Sequence, residues 1–219
     1  MPDFSTSPSP SVPDASAAQR AEEGVLFGRF LAGDDDAFLR IFHQHDRSLR
    51  LYCRRVLGNH AAAEDIVQET WERVIAMRGE ERPVERPAGL FYRIARNRCI
   101  DHLRRERRSI SIDEMPPETE WSHEHGGENE MYDAVIEGLE ALPFEAREVL
   151  VLHHYCGYRF DEIAAMLERT PEAIWARASR ARKHLRSIVS AILQEQSSIL
   201  STSDTQRRHS TEKNHAANS

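Results

Sequence analysis

The distribution of charge constrains this chain more than any other feature. Residues 109–145 hold eleven Asp and Glu and no Lys or Arg, whereas residues 40–108 carry sixteen basic residues against ten acids and residues 146–186 eight against five. A run of one sign repels itself and stays extended. Between Ser109 and Glu130 the run also contains Met115-Pro116-Pro117 and Gly126-Gly127, both helix breakers. Residues 109–130 therefore read as a flexible acidic linker whose charge is expected to repel DNA in the free protein. The 219 residues fall into two small units on either side of it. The net charge of −7 argues against a nucleic-acid partner only until the two basic blocks are counted separately.

Both blocks read as helical. Hydrophobic residues make up 40% of the chain and charged residues 30%, which suits helical modules better than a large β-core. No apolar run approaches the roughly 20 residues that span a bilayer, so membrane insertion is not expected. The first twenty residues have neither a basic start nor an apolar centre, and no secretory signal is read there. Cys53, Cys99 and Cys156 are odd in number and far apart, which fits a reducing cytoplasm better than a disulfide framework. Residues 1–20 and 195–219 are rich in small polar residues and read as a disordered extension and a disordered tail.

In the first block, taken as residues 21–108, the spacing predicts three helices. Ala37 to Leu57 carries Phe38, Ile41, Phe42, Leu49, Tyr52 and Val56, and Gly58-Asn59 ends it. A second runs from about Ala61 to Met77. On a helical wheel it sets Ala63, Ile66, Thr70 and Met77 against an acidic stripe of Asp65, Gln68, Glu69 and Glu72. Such a stripe is a solvated face or a docking edge for a basic partner. A third helix follows Pro87 to about Arg107, with Phe91, Ala95, Cys99 and Leu103 on one side and Arg93, Asn97, Asp101 and Arg104 on the other, Arg96 beside them. Arginine neutralises phosphate and asparagine can read a base edge, so this face suits nucleic acid. Tyr92 and Trp71 are candidate stacking platforms for an unpaired base, and Cys99 reads as inert core.

The second block, residues 131–194, carries the most specific pattern. A helix from Phe144 to Tyr155 ends near Gly157, and a short one follows from Phe160 to Leu167. After the turn Glu168-Arg169-Thr170, Thr170 reads as an N-cap, Pro171 as the first helical residue and Glu172 as a first-turn acid. The last helix puts Ile174, Ala178, Ala181, Leu185, Ile188 and Ile192 on its core side. Trp175, Ala176, Ser179, Arg180 and Lys183 lie on or beside the far side. A short helix, a tight turn and a capped basic helix form a helix-turn-helix, whose second helix lies in the major groove. Small residues such as Ala176 and Ser179 let that backbone approach DNA while longer side chains reach phosphates.

In order along the chain, the D-I-V-Q-E helix, the F-Y-R-I-A-R-N-R-C-I-D-H-L-R-R helix, the acidic linker, L-P-F-E-A-R-E-V-L and F-D-E-I-A-A-M-L resemble the extracytoplasmic-function subgroup of the sigma-70 family. The resemblance covers about 36–108 and 132–186. It implies an all-α protein of two small helical domains, the region 2 bundle and the region 4 helix-turn-helix, joined by the linker. It implies a promoter-specificity subunit of RNA polymerase, not an enzyme, acting in the cytoplasm. Asp65, Gln68, Glu69 and Glu72 would dock on the clamp helices of the largest core subunit. Arg93, Arg96, Asn97, Asp101 and Arg104, with the loop 78–89, would recognise and help open the −10 element. Asn97 matches the family's Asn near the pocket for an extruded base, whose unstacking costs a few kcal/mol. Trp175, Ala176, Ser179, Arg180 and Lys183 would contact the −35 duplex. Relatives often carry Arg and Ser where this chain has Trp175 and Ala176. Many members are held by an anti-sigma factor, which would wedge between the domains or clamp them.

Two other readings compete. A metal site would draw on His43, His45, His123, His125, His153, His154 and Cys156, but no spacing typical of zinc ligands supports it, and no metal or cofactor is expected. A conventional regulator could bind duplex DNA with the second block alone, but it would leave the first block without a role.

Overall fold

The computed structural model describes residues 15–81, 84–109 and 130–216, and the linker expected at 109–130 lies almost wholly outside them. Eight α-helices occur among the described residues: α1 (Ala15–Leu31), α2 (Asp35–Leu57), α3 (His60–Ile75), α4 (Pro87–Ser109), α5 (Glu130–Glu140), α6 (Phe144–Leu150), α7 (Phe160–Met166) and α8 (Pro171–Ala216). A single π turn, Val151–Tyr155, extends α6.

Local chemistry sets the ends. Asp34 caps α2 by accepting from Ala37 N at 3.0 Å, and Asn59 caps α3 by accepting from Ala62 N at 3.1 Å. Between those caps, Gly58 sits at φ +75°, the left-handed conformation that closes α2. Thr70, an odd residue for a helix interior, is buried because its hydroxyl donates to Ile66 O at 2.7 Å.

Helix α1 is absent from the sequence reading, and it organises the first block. Leu26, Phe27, Phe30 and Leu31 are buried, and Phe27 meets Phe91 at 5.7 Å between ring centroids. Its Glu23 is also buried. The Oε1 atom of Glu23 accepts from Ala88 N at 3.1 Å and lies 2.7 Å from His45 Nε2. Ala88 is in the first turn of α4, where a backbone N–H has no partner within the helix, so α1 supplies one.

The disordered ends are corrected in part. Residues 15–20 belong to α1, and residues 1–14 lie outside the description. Helix α8 runs through Ala216, where a loose tail from residue 195 was expected. No Gly or Pro follows Pro171, so no backbone breaker interrupts it.

The two blocks share a core. Val149, Val151, Leu152, Ile163, Ala164, Ile174 and Ala178 join one continuous apolar cluster with the buried residues of α1–α4. Tyr92 lies edge-on to Tyr52 on one side and to Tyr158 on the other, each at 5.2 Å. Tyr92 and Trp71, read as stacking platforms, are 2% and 5% exposed and are core residues instead. Trp71 rests against Phe38, Phe42 and Phe91 and donates its indole N–H to Asp46 at 3.0 Å.

A smaller cluster of Leu139, Leu142, Leu150 and Ala181 fastens α5 and α6 to α8. Beside it, burial raises the Glu140 carboxyl from 4.5 to about 7, against the pull of Arg147 and Arg55. Native Glu140 thus holds a proton that the unfolded chain gives up near pH 4.5, and stability falls as pH rises between about 4.5 and 7. Urea unfolding at pH 5 and pH 8 is expected to show Glu140→Gln as the more stable protein at pH 8 by about 1–2 kcal/mol, with little difference at pH 5.

Candidate functional site

Three polar surfaces carry the candidate residues. On α3, Asp65, Gln68, Glu69 and Glu72 are all exposed, opposite the buried Ala63, Ile66, Thr70 and Val74. Gln68 Nε2 donates to Glu72 Oε1 at 2.9 Å, one turn apart. Glu69 is 3.2 Å from Arg98 Nε of α4, which fixes the stripe's flank. The stripe thus points outward as an acidic row, partly paired with its own neighbours.

On α4 the five candidate residues divide. Asn97, Asp101 and Arg104 are exposed along one face, with Arg104 4.0 Å from Asp101. Arg93 and Arg96 turn toward the second block. Arg93 Nη1 donates to Glu168 Oε1 at 3.1 Å. Arg96 Nε donates to both oxygens of Glu148, at 2.9 and 3.1 Å. Of the loop expected at 78–89, residues 87–89 form the first turn of α4 and residues 82–83 lie outside the description.

Glu148 is the residue that sequence reasoning missed. It is fully buried and also accepts from Tyr52 Oη at 2.8 Å. Burial pushes its carboxyl above the usual range, while Arg96, Tyr52 and Arg177 pull it back. One signal was present in the sequence: Val151 and Leu152, three and four places on, share its helix face and are apolar, so the acid lies in a core stripe. Arg147 beside it donates to Val56 O of α2 at 2.7 Å and also holds the carbonyls of Glu140 and Leu142.

On α8 the helix-turn-helix forms as the sequence implies. Thr170 Oγ1 accepts from Ala173 N at 3.2 Å, and Glu168 takes φ +54° to turn the chain between α7 and α8. Ile174, Ala178 and Ala181 are buried beneath. Ser179, Arg180 and Lys183 are exposed, Ala176 is half-buried, and Trp175 stands 59% exposed at the start of the helix. Among the described residues no cluster of three metal-binding side chains occurs, and no helix is long and apolar enough to cross a membrane. His45 pairs with Glu23, and His153 bonds Tyr158 O and stacks on Phe160 at 4.2 Å. Cys53 and Cys99 are buried thiols, and burial pushes Cys156 up to about 12.

Comparison with known proteins gives the family of the chain. Residues 41–109 match the family model described as Sigma-70 region 2, and residues 132–185 match that described as Sigma-70, region 4. The RNA polymerase sigma factor CarQ of Myxococcus xanthus is 30% identical over 165 residues, covering 74% of this chain and 94% of its own. The ECF RNA polymerase sigma factor SigM of Mycobacterium tuberculosis is 27% identical over 165 residues, covering 74% and 82%. Among solved structures, CnrH in complex with the cytosolic domain of CnrY has a TM-score of 0.59 at 24% identity, covering 77% of this chain and 97% of that one. The sigma factor RpoE in complex with the anti-sigma factor NepR from Bartonella quintana has a TM-score of 0.56 at 20% identity, covering 70% and 96%. Those two likenesses are of fold. The chain belongs to the sigma-70 family, and it is an RNA polymerase sigma factor of the extracytoplasmic-function subgroup.

Proposed function

We propose that three separate faces divide the work of initiation. The acidic stripe Asp65, Gln68, Glu69 and Glu72 docks on the clamp helices of the largest core subunit. Arg93, Arg96, Asn97, Asp101 and Arg104 of α4 engage the −10 element, and Trp175, Ala176, Ser179, Arg180 and Lys183 of α8 engage the −35 duplex. Residues 21–108 and 131–194 are the two promoter-binding halves, and 109–130 is the tether that lets them reach separate elements. The protein works in the cytoplasm as a binding factor and catalyses no reaction itself. An anti-sigma factor of the kind that holds the RpoE relative restrains it.

The observation that carries this reading is the opposition of charge on exposed helical faces. Acceptors line α3, whereas Arg and Lys line α8 and the open side of α4. An anionic row repels phosphate, so a macromolecule that docks on it presents a cationic protein surface. A conventional duplex-binding regulator gives that row no role.

The combined substitution Gln68→Ala with Glu72→Lys is expected to weaken binding to core polymerase about tenfold or more in fluorescence anisotropy, and to leave duplex binding unchanged. Equal core affinity contradicts the docking assignment. Arg180→Ala is expected to weaken −35 duplex binding by about 1–3 kcal/mol if it reads a base. A uniform loss over all duplex sequences makes Arg180 a phosphate contact. Asn97→Ala is expected to impair promoter opening, read by permanganate reactivity of unpaired thymines, more than it impairs −35 binding.

A further inference from the structure

Two tryptophans of the described residues lie at opposite extremes of exposure. Trp71 is buried and donates its indole N–H to Asp46, as a buried indole must. Trp175, near the start of α8, is 59% exposed. Among the described residues its N–H has no hydrogen-bond partner and its ring meets no other aromatic ring. A lone exposed apolar residue is ordinary on a protein surface, so its place matters more than its exposure. Ile174 and Ala178 are buried beneath it, and the exposed Ser179 and Lys183 stand one and two turns further along the same face. Ala176 and Ser179 beside it are short, so the indole stands above them. Arg182, two turns on, could have covered the ring, but its guanidinium lies over Phe160 of α7, 5.9 Å from the ring centroid. The fold therefore leaves a large apolar edge bare in the middle of a basic, polar face.

Residues near the start of the second helix of a helix-turn-helix meet base edges in the major groove. Those edges are hydrogen-bond donors and acceptors with one exception, the C5 methyl of thymine, which lies beside the O4 acceptor. An indole offers a broad apolar edge, one donor and no acceptor. It matches the methyl and O4 of thymine together. It cannot give the two donors that guanine takes at O6 and N7, nor the acceptor that the amino groups of cytosine and adenine need. We infer that Trp175 is a specificity-determining residue that selects thymine in the −35 duplex through the C5 methyl group. The inference rests on the assignment of α8 to that duplex, and it adds which base this chain favours there. Ala176 and Ser179 leave room for the ring at the groove floor, and the exposed Lys183 and Arg186 supply the charge that phosphates attract.

The test uses the full chain assembled with core polymerase. The holoenzyme selects duplexes from a library with a randomised centre. Each thymine of the selected duplex is then replaced singly by deoxyuridine, which pairs like thymine but lacks the methyl, and fluorescence anisotropy gives the affinity. Wild type is compared with Trp175→Ala, Trp175→Phe and Lys183→Ala. All three positions are exposed or change only an exposed side chain, and far-UV circular dichroism checks folding. At one thymine, loss of the methyl is expected to weaken wild type about fourfold, the weight of one buried methyl group, and to leave Trp175→Ala unaffected. Trp175→Phe keeps the sensitivity, because its ring still offers an apolar edge. Thymine methyls that matter equally to wild type and Trp175→Ala overturn the inference. So does a uniform loss in Trp175→Ala over all duplexes, since the ring then packs on the sugar-phosphate backbone. In either case a loss of duplex affinity in Lys183→Ala leaves the assignment of α8 standing. Unchanged affinity in both Trp175→Ala and Lys183→Ala overturns the inference together with that assignment.

Discussion

The carboxylate of Glu148 decides how the rest of this protein is arranged. A charge removed from water is costly unless it is paired and hydrogen-bonded, and leaving such a group without partners typically costs about 3–5 kcal/mol. Two of the groups that satisfy Glu148, the Tyr52 hydroxyl and the Arg96 guanidinium, both come from the other half of the chain. The second block therefore has a polar reason, as well as an apolar one, to lie against the first. The apolar reason is the cluster that runs from Phe27 and Trp71 through Tyr92 to Ile163 and Ile174. Hydrophobic burial supplies the non-directional attraction, and Glu148 fixes which surfaces meet.

That fixing divides one helix in particular. Helix α4 is shared between a core, a seam and an exposed polar face. Phe91, Ala95 and Cys99 are buried in the first block, Asn97, Asp101 and Arg104 face outward, and Arg93 and Arg96 lie between, in the seam. The acidic stripe on α3 and the basic face of α8 take no part in the seam, since their candidate residues are exposed or, for Ala176, half-buried.

Much of this was legible in the residues. The helices α2, α3 and α4, the glycine at 58, the proline at 171 and the cap at Thr170 follow from spacing and from the chemistry of helix ends. The stripe on α3 and the exposed Arg180 and Lys183 follow from a helical wheel. Other features were not legible because the wheel says which side of a helix is apolar and not what covers it. Tyr92 and Trp71 bear aromatic rings beside arginines, a pattern that fits base stacking as well as a core, and only the packing of Tyr52, Tyr158 and Phe91 decides between them. Glu23 looks like an ordinary surface acid, and the apolar stripe around Glu148 marks burial without saying what pairs with it, until His45, Arg96 and Tyr52 are found beside them from distant parts of the chain. The tether suggested by the acidic run implied halves that move apart, whereas the helices on either side of it share one core.

A double-mutant cycle on Glu148 and Arg96 tests the central claim most directly. The two single substitutions to Gln and the pair are unfolded in urea, and the interaction energy is taken from the four stabilities. This account predicts a coupling of about 1–3 kcal/mol, because each side chain satisfies the other across the two halves. Additive losses, with no coupling beyond error, would mean that the halves are not joined through this pair, and the closed arrangement would have to be abandoned.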